Sequence, residues 1–149
     1  MNNQISLFEN KPVNVLLSLL EEPYNQMLSG EKRYEYRTRY QKVPTTAYVY
    51  ISRTKKKIVA KIEFDTPIIG TAEEIATLAE EQQPGNYNKM LDYFHGGTAY
   101  AIPIKKIIPL EEVSLEELRK VFPDFVVPQS YYILDKKPEL LNYLKSKEY

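Results

Sequence analysis

Cysteine is absent from the chain, which removes disulfides, thiolate metal sites and a cysteine nucleophile. Histidine occurs once, at His95, so multi-histidine metal centres are excluded and a Ser-His-Asp hydrolase would rest on that residue alone. No apolar run approaches the ~20 residues that span a bilayer. The start, Met1-Asn2-Asn3-Gln4, lacks the basic-then-apolar pattern of a signal peptide. The expectation is a cytoplasmic protein with no membrane partner. Internal repeats, linkers and low-complexity segments are also missing. With 149 residues and 43% apolar composition, the chain is expected to form one compact domain over 1–149.

Net charge is zero, but the charges are segregated. Residues 31–61 hold ten Lys or Arg against two acids, a balance of +8, and the rest of the chain is −8. Half the positive charge therefore sits in about a fifth of the length, a pattern that suits a polyanion-facing surface. The alternative is a solvated strand edge, where lysines deter aggregation.

The pattern of apolar residues orders the chain as follows. Residues 13–20 read as a buried strand, and Glu21-Glu22-Pro23 open a short helix that stops at Gly30. From Lys32 to Tyr40 the alternation places Arg33, Glu35, Arg37 and Arg39 on one strand face and Tyr34, Tyr36, Thr38 and Tyr40 on the other. Strands over 46–52 and 58–65 flank a basic loop, Arg53-Thr54-Lys55-Lys56-Lys57, giving an antiparallel meander of half-buried strands. On the later strand Ile58, Ala60, Ile62 and Phe64 share a face. Helices are expected over 72–83 and 88–95, with His95 as a C-terminal cap before Gly96-Gly97. A long strand over 98–110 bends at Pro103, and Ser114-Leu115-Glu116-Glu117 is a capping box. A last strand over 128–134 precedes a helix of about 136–147, capped by Asp135.

Gly30, Lys32, Glu35 and Arg37 fit the spacing G-x-K-x-x-E-x-R. With Ser52 at a strand end, the segment Ile58-Val59-Ala60-Lys61-Ile62-Glu63 and Pro128-Gln129-Ser130-Tyr131, the sequence resembles an ASCH domain (activating signal cointegrator homology) of the PUA-like superfamily. The resemblance covers about 13–134. It implies an α+β fold, a PUA-like mixed or antiparallel β-barrel surrounded by several helices, with the signature beside a cleft for RNA or a nucleotide-like ligand. One departure is that glycine is frequent in the family where Ala60 stands here.

Two chemistries follow. In a binding module, Lys32, Arg33, Arg37, Arg39 and the loop of Arg53, Lys55, Lys56 and Lys57 would meet phosphates, Gln129 or Ser130 would read a base edge, Glu35 and Ser52 would also contact the ligand, and tyrosines could stack on bases. In a hydrolase, Lys32, Glu35 and Glu63 are the catalytic candidates. The resemblance includes amidohydrolases that deacylate acetylcytidine with a lysine, a threonine three positions on, and a downstream glutamate. Lys32 matches the lysine and Glu63 stands for the glutamate, but Glu35 replaces the threonine, so the nucleophile is missing. Ribonuclease activity is the other catalytic option, with Lys and Arg stabilising a pentacovalent phosphate. A salt-bridge network that only fixes the corner is the structural alternative. No metal or organic cofactor is implied.

Overall fold

The computed structural model describes residues 11–149; the Met1–Gln4 stretch lies outside them. The strands are β1 Val13–Leu19, β2 Tyr34–Arg37, β3 Thr45–Ile51, β4 Lys57–Phe64, β5 Ile68–Thr71, β6 Thr98–Ser114 and β7 Tyr131–Ile133. The helices are α1 Glu21–Ser29, α2 Ala72–Gln82, α3 Tyr87–Phe94, α4 Leu115–Val121 and α5 Pro138–Lys145. Among the described residues, no helix is long and apolar enough to cross a membrane.

The strands form one curled mixed sheet in the order β2-β6-β4-β3-β1-β7, with β5 also on β6. β1 and β3 are parallel, and the remaining pairs are antiparallel. A parallel pair needs a crossover rather than a hairpin; α1 and β2 supply it. The long β6 pairs with β2 and β5 through Thr98–Pro103 and with β4 from Ile104 onward. The exchange falls at Pro103, where the sequence predicts a bend.

This arrangement corrects the meander. β2 runs beside β6, with Arg37 opposite Tyr100, and does not pair with β3. It also ends at Arg37, so Thr38 and Arg39 leave the strand and Arg39 is exposed. Nor are the central strands half buried. Ala47, Val49 and Ile51 face one core with Val15, Leu17, Ile62 and Phe64, while Tyr48 and Tyr50 face a second. The second core is closed by Leu118 of α4 and Leu140, Leu141 and Leu144 of α5. Helices on both sheet faces remove the polar-out alternation that a one-sided sheet would show.

Register shifts at Val49/Tyr50 and Ile58/Ala60 change the facing of β4. Ile58 packs in the second core, while Val59, Ala60 and Ile62 pack in the first. An extra residue at a bulge inverts the side-chain alternation across it. β5 is not legible from the pattern, because it is four residues long and its Ile68 and Ile69 are exposed. Asp135 does not cap the last helix. Its carboxylate accepts from the Asn14 backbone N–H at 2.8 Å and from Asn14 Nδ2 at 2.9 Å, and α5 begins after Lys137 with Pro138 in its first turn. The Ser114 cap of α4 is present, its Oγ accepting from Glu117 N–H at 3.1 Å. His95 is the C-cap of α3 at φ 52° and is exposed.

Candidate functional site

The corner that follows α1 is built by its backbone. Gly30 adopts φ 85°, the left-handed region that ends a helix without a Cβ penalty. The Lys32 N–H then reaches back to the Gln26 carbonyl at 3.0 Å. Gln82 of α2 clamps the next residues: its Oε1 accepts from Arg33 N–H at 3.1 Å, and its Nε2 donates to the Glu31 carbonyl at 2.7 Å. Lys32 is thereby turned inward, while Arg33 stays exposed.

Glu35, only 7% exposed, is the centre of the arrangement. Its Oε2 accepts from Arg37 Nε at 2.8 Å, and its Oε1 lies 3.6 Å from Lys32 Nζ. The Arg37 guanidinium continues to Ser130 Oγ at 2.9 Å and to the Ser18 carbonyl at 3.0 Å. One arginine thus ties β2 to β1 and to the approach of β7. The expected charged face holds only for Glu35 and Arg37, which turn into the fold, and not as a solvent-facing ladder.

Lys32 Nζ also sits 4.6 Å from the centroid of the Tyr36 ring, within cation–π range. Burial pushes the Lys32 ammonium below the ordinary lysine range. Glu35 opposes that shift, and Arg37 and Lys89 add to it. Burial likewise raises the Tyr36 phenol, whose buried hydroxyl has no hydrogen-bond partner among the described residues.

These groups line a cleft of about 360 Å³ between β1, β2, α1 and α3. The volume is within the ~300–1,000 Å³ usual for ligand sites. Its titratable walls are Lys32, Arg37 and Lys89 against Glu35, a balance of +2. Of the residues singled out from sequence, Lys32, Glu35 and Arg37 line it, and Ser130 stands behind Arg37. Ser52 and Arg53 line an adjoining cavity of about 700 Å³ that shares Leu20 and Gln26 with the cleft. Arg39, Lys55, Lys56 and Gln129 are exposed and line neither cavity, and Glu63 lies on β4 between Thr46 and Lys106.

Much of the basic stretch is paired: Lys55 with Glu21 at 3.9 Å, Lys57 with Glu112 at 3.4 Å, and Lys61 with Glu148. Sequence reasoning missed the α3 wall. Asn86, Lys89, Met90 and Tyr93 recur at i, i+3, i+4, i+7, a polar-aromatic stripe next to the apolar one of Tyr87, Leu91 and Phe94. That spacing was the available signal. Among the described residues, no group of His, Cys, Asp and Glu is placed to hold a metal. A separate apolar cavity of about 340 Å³ lies beside the second core, between Phe122, Phe125, Val126, Tyr132 and Leu140.

The curled mixed sheet with its helices has the ASCH/PUA-like fold that the sequence resemblance implied. An ASCH protein of Zymomonas mobilis superposes with a TM-score of 0.70 at 21% identity, covering 87% of this chain and 94% of that one. Its serine-to-alanine variant gives a TM-score of 0.72 at 20% identity, covering 91% and 97%. An NMR structure from Rhodopseudomonas palustris gives 0.54 at 12% identity, covering 92% and 96%. At these identities the likeness is one of fold. No family model matches the chain, and no curated protein matches it in sequence.

Proposed function

We propose that the cleft binds a nucleotide unit, offered either as a free nucleotide or as part of single-stranded RNA. The observation that carries this reading is the wall composition: three cations against one carboxylate, with the half-exposed Tyr93 ring on the same rim. Arg37 is held by Glu35, Ser130 and the Ser18 carbonyl, so Lys32 and Lys89 are the cations that face a phosphate. Tyr93 offers a stacking face, and the amides of Gln26, Gln83 and Asn86 offer donors and acceptors to a base edge. The test is a titration with ribonucleotides and short RNA across a salt series. Two phosphate-neutralising lysines give a log–log salt slope of about −1.4 for single strands. Binding that is absent at low salt, or independent of salt, overturns the reading.

A second reading, hydrolysis of a modified nucleoside or of RNA, draws support from the lowered basicity of Lys32. The neutral amine is the form that acts as a general base, and burial makes that form easier to reach. Water would then be the attacking group, because Glu35 replaces the hydroxyl and is itself engaged by Lys32 and Arg37. Turnover of acetylcytidine or RNA that vanishes in Lys32→Ala supports this reading; an inert protein returns the cleft to binding alone.

A further inference from the structure

We propose that Glu80 is a positioning residue of the cleft: its carboxylate fixes the start of α3, and with it the Lys89 and Tyr93 side chains that meet the ligand. The inference rests on the nucleotide-binding reading above and names the residue that pre-forms that site. The α3 wall has little core of its own. Of its eight residues Phe94 alone is buried, and it is the last. Met90 and Leu91 are half-buried against the same cluster. The first turn, which brings Asn86 and Lys89 to the cleft, is left to polar contacts. A helix start leaves N–H groups without partners, and a side chain at the N-cap usually accepts from one of them. Asn86, the N-cap of α3, does not; its Nδ2 donates to Gln83 Oε1 at 3.3 Å. Glu80 of α2 supplies the cap from outside. Its Oε1 accepts from the N–H of Tyr87, the first helical residue, at 3.0 Å, and its Oε2 accepts from Gly85 N–H at 2.9 Å.

One carboxylate thus grips both the turn and the helix that follows it. Charged acceptors make the stronger hydrogen bonds, and negative charge suits the positive end of a helix. Glu80 does not line the cleft itself. Two positions further along α2, Gln82 holds the opposite corner through Glu31 and Arg33. Lys32 on one side and Lys89 with Tyr93 on the other are therefore both held from a single helical turn. Gly85 at φ 97° and Gly96 at φ 77° bracket α3. Without the carboxylate, α3 keeps its Phe94 anchor and loses the hold on its first turn. A site whose side chains are already ordered gives up less affinity to ordering them on binding.

The experiment titrates ribonucleoside 5′-monophosphates by calorimetry into the native protein, Glu80→Ala, Glu80→Gln, Tyr93→Ala and Glu80→Ala/Tyr93→Ala, with urea unfolding and amide hydrogen exchange on each. Glu80→Ala is expected to weaken binding about tenfold, the scale that follows when two contacting side chains must be ordered on binding. Glu80→Gln, which keeps one acceptor oxygen of the two, recovers part of that loss. In the Tyr93→Ala background the same Glu80→Ala change costs only about threefold, because one of the two side chains it positions is gone. Exchange of the Met90 to Phe94 amides is faster in Glu80→Ala than in the native protein. A Glu80→Ala protein with a lower urea midpoint but native affinity in its folded form overturns the proposal and leaves the nucleotide-binding reading standing. So does an equal loss with and without Tyr93, or unchanged exchange in α3. Absence of nucleotide binding by the native protein overturns both.

Discussion

Replacing Arg37 with alanine isolates the question of whether the Lys32–Glu35–Arg37 cluster serves stability or ligand. The side chains of Arg37 and Glu35 are only 12% and 9% exposed, so their charges are largely removed from water. Arg37→Ala deletes the bonds to Glu35 at 2.8 Å, Ser130 at 2.9 Å and the Ser18 carbonyl at 3.0 Å, leaving Glu35 with Lys32 at 3.6 Å. Breaking a buried pair while one charge remains costs about 3–5 kcal/mol. For a chain of this size about 3 kcal/mol lowers Tm by ~10 °C. The complementary variant, Lys32→Met/Glu35→Leu/Arg37→Met, removes every charge at once. Apolar replacement of a whole buried ionic cluster is often neutral or stabilising. Urea unfolding of the three proteins, followed by a nucleotide titration of each folded one, separates the roles. The expected outcome is that Arg37→Ala is strongly destabilised, whereas the apolar triple variant is near native in stability and binds no nucleotide. A loss under about 1 kcal/mol in Arg37→Ala would refute the burial argument, and a triple variant as unstable as the single one would refute the division between stability and binding.

Other expectations follow from single residues. Because burial lowers the Lys32 pKa below its ordinary 10.5, phosphate affinity falls with rising pH earlier than an ordinary lysine would allow; Lys32→Arg, which keeps its charge, removes that alkaline fall in a pH series of titrations. Stability follows the opposite sign. Between the lowered pKa and 10.5 the unfolded chain binds more protons at Lys32, so its contribution to the unfolding free energy rises with pH, as denaturation at several pH values would report. Tyr93→Ala weakens nucleotide binding by about 1–3 kcal/mol while Tyr93→Phe keeps most of it, a comparison that calorimetry reads directly. Gly30→Ala meets no atom within 4 Å, so its cost is conformational, about 1–2 kcal/mol in chemical denaturation. Leu144→Ala, at a position with no exposure, costs about 2–5 kcal/mol.

How far the sequence reveals this molecule varies by element. α2 and α3 are legible to within one residue, because a 3.6-residue stripe runs through each and His95 marks the end of α3, and Ser114 marks the start of α4. The strands exist where alternation puts them, but pairing does not follow from alternation. Nothing in Tyr34–Arg37 says that its partner is β6, more than sixty residues away, and not the next strand in the chain. The bulge between Ile58 and Ala60 is equally silent, since both residues are apolar and suit either core. At the site, the G-x-K-x-x-E-x-R spacing locates three charged side chains of the cleft on one stretch of chain. The α3 wall, Lys89 and Tyr93, comes from a helix that joins the cleft through the packing of α3 against α2 and the Tyr36 cluster. Charge counting fares worst: Lys55, Lys57 and Lys61 find acids 34, 55 and 87 residues away, so a local excess of +8 overstates what solvent meets.

Backbone amide NMR spectra of the native protein, titrated with ribonucleoside 5′-monophosphates, test the central claim most directly. The account predicts saturable shifts concentrated on Lys32, Glu35, Arg37, Asn86, Lys89 and Tyr93, all of which line the 360 Å³ cleft. Shifts centred on the apolar cavity between Phe122 and Leu140, or no saturable shifts at millimolar nucleotide, would contradict it.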